Sequence, residues 1–388
     1  MVGRKGAGGL RRTGHRFRRP QLAVAVLLAA ALVAPLGAAA SPGTAATEVA
    51  TPAPAERSVD SGGTTPSLPA AAVAATEAPA GDELPAIAEP PAAGLPATAA
   101  PPPALAASPP FRVESIGVIR LASGQGPLDG SPATSPHYTP PLHDADGVPV
   151  AIIGGRTVYK PAALGQLAIR FVNGFTRTGD PAYLVLPEAI GRALARMGHW
   201  SQGALYLPYE FDFAMHGNRS DVIRGPWYSA MAQGLALALF TKLYRATGNP
   251  AHLATAAALY RSLRHIGRGT SPWVAYVASG RYLWLEEYAQ HDPEHTINGA
   301  IFGAFGLYEY WSATGDPGAL QELRGILTTL KHKLMLARNP GGPMDYCLKH
   351  GRPQVKYHHV VLAQLQSLMR MTRDPFFARA YRIFARDA

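Results

Sequence analysis

Thr178-Gly179-Asp180-Pro181 returns as Thr247-Gly248-Asn249-Pro250 and as Thr314-Gly315-Asp316-Pro317, with a degenerate copy at Thr372-Arg373-Asp374-Pro375. Each run reads as a helix end fused to a helix start. The glycine supplies a left-handed residue after the first helix, Asp or Asn caps the next, and Pro takes its first position. Apolar helical runs precede the junctions, such as Ala232 to Leu243 and Ile301 to Trp311. Amphipathic ones follow, such as Leu253 to Leu263 and Leu320 to Leu330. The three close copies lie about 65 to 70 residues apart, long for a single solenoid repeat but right for two hairpin units. Polar, aromatic runs occupy the connections at the opposite ends of the helices, which favours hairpins curled around a cleft over an open solenoid. The expected fold class is mainly α, an α/α toroid (an incomplete α/α barrel of helix hairpins) over residues 161–388.

Upstream the character changes. Residues 111–160 read as a small β-rich lead-in, because Val113 to Leu121 alternates and Gly147-Val148-Pro149-Val150 suggests short strands. Residues 41–110 are Ala, Pro, Thr, Ser and Gly with scattered acids; such a stretch buries too little surface to offset its chain entropy and reads as a disordered linker. Residues 1–40 carry a basic head, from Arg4 to Arg19, then an apolar run ending in Ala38-Ala39-Ala40. That pattern is a signal peptide or, uncleaved, a membrane anchor through residues 21–40. The expected location is therefore extracytoplasmic, secreted or held at the outer face of the membrane.

The chain has a formal net charge of +10, and after residue 110 it carries 28 basic against 19 acidic side chains. A basic domain outside the cell favours an anionic glycan as partner and makes nucleic acid an unlikely one. The single cysteine, Cys347, excludes an internal disulfide. No metal site or cofactor is expected, since Cys and His residues show no paired ligand spacing.

Four polar, aromatic clusters interrupt the helical pattern. They are Leu205 to Phe213 (LYLPYEFDF), Pro226 to Gly234 (PWYSAMAQG), Trp284 to Tyr288 (WLEEY) with Asn298-Gly299, and Asp345 to His350 (DYCLKH) continuing to Tyr357-His358-His359 and Gln364-Leu365-Gln366. Stacking faces mixed with hydrogen-bonding groups suit a carbohydrate. Some of these residues also have plain structural readings: Ser229 as an N-cap, and Gln233 and Asn298 as caps.

In this order the clusters resemble the D-glucuronyl C5-epimerase family, whose reaction turns D-glucuronate into L-iduronate within heparan-sulfate-type polysaccharides. The family's WYSAMAQG is matched at 227–234 and its WYEEY at Trp284–Tyr288, with Leu285 for the first tyrosine. Its YDLRH is similar to Tyr346–His350, with Cys347 for Asp and Lys349 for Arg. Its YHTTHINQLQLL is similar to the run from Tyr357 to Leu368, with Val361 for the second histidine. The resemblance spans residues 137–388 and implies a tyrosine-centred site in an α/α barrel, and a homodimer. It places catalytic roles on Tyr288, Tyr346, Tyr357 and Glu287. The substrate contacts expected from the clusters are Tyr209, Trp227, Tyr228, Gln233, Asn298, Lys349, His350, Arg352 and His358.

The chemistry fits those residue types. Removing the proton from C5 of a uronate leaves an enediolate-like carbanion beside a carboxylate, and inversion then needs a base on one face and an acid on the other. Tyrosine can serve both if its pKa is drawn below about 10. Lys349, Arg352 and Lys356, with His350 and His358 adjacent, are expected to do this and to neutralise the substrate carboxylate. A polysaccharide lyase on the same toroid shares the first half-reaction, and a non-catalytic module binding anionic glycans is a third reading.

Overall fold

The computed structural model describes residues 108–268 and 271–387. The signal segment and nearly all of the linker expected from the sequence lie outside them. Among the described residues no helix is long and apolar enough to cross a membrane.

Among the described residues eight α-helices form four hairpins: α1 (Pro161–Thr178) with α2 (Val185–Met197), α3 (Ala230–Thr247) with α4 (Pro250–Arg264), α5 (Ile297–Thr314) with α6 (Pro317–Lys333), and α7 (Val355–Thr372) with α8 (Pro375–Asp387). The repeated junctions make the hairpin turns. Gly179, Gly248 and Gly315 all adopt left-handed φ between 71° and 76° at the helix C-caps, and Arg373 takes the same place at φ 54°. Asp180, Asn249, Asp316 and Asp374 each accept a hydrogen bond from a backbone N–H one turn on, capping the helical segment that follows.

The odd-numbered helices pack side by side in the order α1–α3–α5–α7, and α2, α4, α6 and α8 back them on the outside. No extended α7–α1 interface closes the ring, so the toroid is incomplete. Burial follows this division. α5 is buried on every side from Ile297 to Trp311, whereas α2 and α4 keep exposed positions along their length. α3 and α5 cross at glycine: a Cβ on Gly306 would lie 2.3 Å from the Gly234 carbonyl oxygen, and one on Gly234 would lie 2.6 Å from Gly303 Cα. The final glycine of PWYSAMAQG is thus a requirement of helix packing.

Four antiparallel two-stranded hairpins decorate the helices: β1 (Ala151–Ile153) with β2 (Arg156–Val158), β3 (His199–Ser201) with β4 (Ala204–Tyr206), β5 (Phe213–Ala214) with β6 (Val222–Ile223), and β7 (Ala275–Ala278) with β8 (Tyr282–Leu285). The alternating run Val113 to Leu121 has no ladder partner among the described residues. It lies extended over the helices, with Glu114 N–H on Thr328 Oγ1 and Ile119 N–H on the Met371 carbonyl. Val113, Ile116, Val118 and Leu121 pack on the core, at the uneven spacing of an extended segment outside a ladder.

Each inner helix ends at a repeated junction, so all four inner helices begin at the same end of the arc. The β3–β6 segment, the connection from β8 to α5 and the connection from α6 to α7 gather there.

Candidate active site

The β8–α5 connection is fixed to the start of α3 by backbone hydrogen bonds. Ala230 N–H donates to the Glu286 carbonyl and Ala289 N–H to the Tyr228 carbonyl. This aims Glu287 and Tyr288 across the inner end of the arc. The α6–α7 connection folds on itself, with Tyr346 N–H on the Arg352 carbonyl, and pairs with Thr296 through Cys347. Tyr346 is thereby brought over the first turn of α5. Tyr357 arrives separately, from the first turn of α7.

The four side chains meet. The Tyr346 hydroxyl donates to Glu287 Oε1 at 3.0 Å and lies 2.9 Å from the Tyr288 hydroxyl. The Tyr357 ring packs on Tyr346 with centroids 4.2 Å apart. Asn298 Nδ2 donates to the second Glu287 oxygen at 3.4 Å. A Cβ on Gly299 would fall 2.4 Å from that oxygen, so the Asn-Gly pair both ligates and makes room for the carboxylate.

An aromatic wall stands beside this chain. Tyr209 stacks on Trp227 at 4.0 Å, Phe213 lies parallel to Tyr288 at 5.6 Å, and Trp227 lies 5.6 Å from Tyr288. The Tyr209 hydroxyl accepts the free N–H of Ala162 at the start of α1. A surface depression of ≈ 370 Å³ lies at Trp227, bordered also by Arg224, Ser271, Gln290 and His291.

Burial, with Glu287 next to them, pushes the Tyr288 and Tyr346 phenols well above the usual tyrosine value, and burial raises Tyr357 as well. Burial also raises Glu287, against the hydrogen bonds that Thr296, Tyr346, Tyr288 and Asn298 supply. This corrects the expectation that cations hold the phenols down. Lys349 is spent on Glu294 and Asp292, both at 3.1 Å, and Lys356 sits over the face of Tyr357, 5.6 Å from its centroid.

Several expected substrate contacts are employed inside the protein instead. Gln233 is fully buried; its amide donates to the Leu205 carbonyl and Ser262 Oγ and accepts from Leu207 N–H, clamping β4 and α4 to α3. His358 is buried too, with Nδ1 accepting from Met344 N–H and Nε2 donating to the Phe384 carbonyl. Tyr228 turns away from the tyrosine group, with its hydroxyl 2.8 Å from His199 Nδ1 and its ring against Tyr206. His350 lies beside Glu294 and Asp221, behind Tyr346. Arg352 is exposed at the rim. Tyr209, Trp227 and Asn298 remain with the group formed by Glu287, Tyr288, Tyr346 and Tyr357. Phe213, Thr296, His216 and Glu294 belong to this region and were not singled out from sequence as site residues. Phe213 sits within the LYLPYEFDF run, whose aromatic spacing was the available signal.

Buried phenols and a carboxylate beside stacked aromatics combine hydrogen-bonding groups with flat apolar faces, the mixture that suits a carbohydrate. Residues 202–386 match the family model of the D-glucuronyl C5-epimerase C-terminus, so this part of the chain is similar to that family of carbohydrate epimerases. The match contains Glu287, Tyr288, Tyr346 and Tyr357. The chain is also 24% identical over 182 residues to an uncharacterized protein of Methanocaldococcus jannaschii, covering 45% of this chain and 55% of that protein. It thus spans about half the length of the curated relative it matches. Among solved structures it is similar to a cellobiose 2-epimerase of Bacillus thermoamylovorans, with a TM-score of 0.41 and 14% identity over 59% of this chain and 60% of that one. It is also similar to a family 76 glycoside hydrolase α-mannanase of Bacteroides thetaiotaomicron, with a TM-score of 0.40 and 12% identity over 59% and 57%.

Proposed function

We propose that this domain is a uronyl C5-epimerase that inverts C5 of D-glucuronate residues within an anionic extracellular polysaccharide. The observation that carries the reading is the hydrogen-bonded chain Glu287–Tyr346–Tyr288, flanked by Tyr357 and set beside an aromatic wall. A sugar ring that parts the Tyr346 and Tyr288 hydroxyls, which lie 2.9 Å apart in this structure, would have one phenol on each face.

The steps balance without a free phenolate waiting in the site. The C5 proton passes to the Tyr346 oxygen while the phenolic proton of Tyr346 moves to Glu287 across their 3.0 Å hydrogen bond. The electron pair left at C5 delocalises into the adjacent carboxylate as an enediolate. Tyr288 then gives its proton to C5 from the opposite face and becomes phenolate. When product leaves, the two hydroxyls are again 2.9 Å apart; Tyr346 reprotonates Tyr288 and Glu287 returns its proton to Tyr346. Phenols raised by burial suit this scheme, because a strongly basic Tyr288 phenolate drives the reset. The starting ends of α3, α5 and α7 face the same region and favour an anionic group there, with Arg352 and Lys356 at the rim. Trp227 and Tyr209 provide flat faces for neighbouring sugars. The basic and apolar residues 1–40 support a location outside the cytoplasm.

The test is incubation with glucuronan and with a heparosan-type polymer, followed by proton NMR of the intact product. Iduronate resonances with unchanged chain length support the proposal. A new ultraviolet-absorbing double bond with shortened chains would make the domain a lyase, and binding with no change in either polymer would make it a glycan-binding module.

A further inference from the structure

Behind Tyr346, four side chains from three separate connections converge on one point. His216 comes from between β5 and β6, Glu294 from between β8 and α5, and Cys347 and His350 from between α6 and α7. Their ligand atoms all lie within 4.8 Å of one another. His216 Nε2 is 3.1 Å from His350 Nδ1 and 3.3 Å from Cys347 Sγ, and Cys347 Sγ is 3.5 Å from His350 Nδ1. Glu294 Oε2 stands 2.7 Å from His350 Nδ1 and 3.4 Å from His216 Nε2. A tetrahedral zinc ion bound by two imidazoles, a thiolate and a carboxylate separates its ligands by about 3.3 to 3.6 Å, given metal–ligand bonds of about 2.0 to 2.3 Å. Four of the five measured separations fall within about 0.2 Å of that range, and the fifth is shorter.

The surroundings are those of a metal site. His350 Nε2 faces Asp221 Oδ2 at 3.1 Å, an outer carboxylate that orients the ring and directs the Nδ1 lone pair inward. Glu294 Oε1 is engaged by Lys349 at 3.1 Å and Gln290 at 2.9 Å, which leaves Oε2 for the centre. His216 reaches the point from a backbone held at φ 52°, in the left-handed region. In the tautomer whose Nε2–H faces Asp221, His350 directs its Nδ1 lone pair at the point that Glu294 Oε2, His216 Nε2 and Cys347 Sγ also face.

We propose that His216, Glu294, Cys347 and His350 bind a divalent transition metal, zinc by the chemistry of the donors, in a closed four-ligand site. Two imidazoles and a thiolate exclude calcium and magnesium, and four protein ligands mark a structural role. The ion ties the connection that carries Tyr346 to those carrying His216 and Glu294. The site stands independently of the sugar chemistry.

Two measurements on the full-length protein decide the matter. Plasma mass spectrometry after dialysis is expected to find one zinc per chain. After chelation, titration with Co²⁺ is expected to give tetrahedral d–d bands and a thiolate-to-cobalt charge-transfer band. Cys347→Ser abolishes the charge-transfer band. Asp221→Asn, a partly exposed change that is safe for folding, weakens Co²⁺ binding by roughly 10- to 100-fold. Folded wild-type protein that neither retains zinc nor yields the charge-transfer band overturns the proposal. So does an Asp221→Asn variant with unchanged Co²⁺ affinity.

Discussion

Removing one oxygen atom tests the proton relay. Tyr346→Phe keeps the ring against Tyr357 but deletes the hydroxyl that joins Glu287 to Tyr288 at 3.0 and 2.9 Å. Loss of a positioned proton-transfer group lowers a rate by roughly 10² to 10⁴-fold. Exchange of the C5 proton of a glucuronate polymer is expected to fall by that factor. Glu287→Gln interrupts the same transfer one atom further back and is expected to fall similarly. Because both act on a single proton movement, the double variant should be little slower than either single one. Stability provides the control. A hydrogen bond to a charged group contributes about 1.5 to 3 kcal/mol, and Glu287 keeps Asn298, so Tyr346→Phe should remain folded with a modestly lower Tm. The assay is deuterium incorporation at C5, followed by NMR at saturating polymer. Single variants within about threefold of wild type, or a double variant whose loss is the product of the two single losses, would refute the relay.

Three further outcomes follow from other contacts. Gly299→Ala forces a methyl group to within 2.4 Å of Glu287 Oε2 and 2.5 Å of its Cβ, so exchange should drop by about 10²-fold and stability by roughly 1 to 3 kcal/mol; an unchanged rate would mean that Glu287 need not be held there. Gly306→Ala drives a methyl group into the Gly234 backbone where α3 crosses α5, and is expected to cost roughly 1 to 3 kcal/mol in denaturant unfolding; a neutral result would contradict the close crossing. Asp387 is held at about 2 by Arg338, helped by Gly341 N–H, below its ordinary 3.8. A depressed carboxyl stabilises the fold above its unfolded value, and that contribution is lost as pH falls from about 4 towards 2. Tm should therefore decline across that window in wild type and less steeply in Asp387→Asn; parallel curves would show that the pair contributes nothing.

The hairpin arc was legible because its signal is local. A left-handed residue, a capping carboxylate or amide and a proline specify a helix–helix turn with no help from the rest of the fold, and four copies specify the repeat. The tyrosines could be read from the order of their motifs. Their protonation could not, because it depends on where cations and acids point. Lys349 is three residues from Tyr346 in sequence, yet its charge is taken up by Glu294 and Asp292. Gln233 and His358 looked like substrate contacts while their partners, on β4, α4 and α8, were invisible in one dimension. The His216–Glu294–Cys347–His350 cluster draws on three connections, and its only trace in the chain is the two-residue gap between Cys347 and His350. Val113 to Leu121 shows the converse: an extended segment packs apolar side chains on a core without finding a ladder.

Wild-type protein incubated in D₂O with a glucuronate homopolymer tests most directly whether a hydron crosses the sugar ring. Deuterium is expected to accumulate at C5 with time, in both the gluco and the ido product, while the polymer keeps its length. A folded, polymer-binding protein that leaves C5 entirely protiated would contradict it.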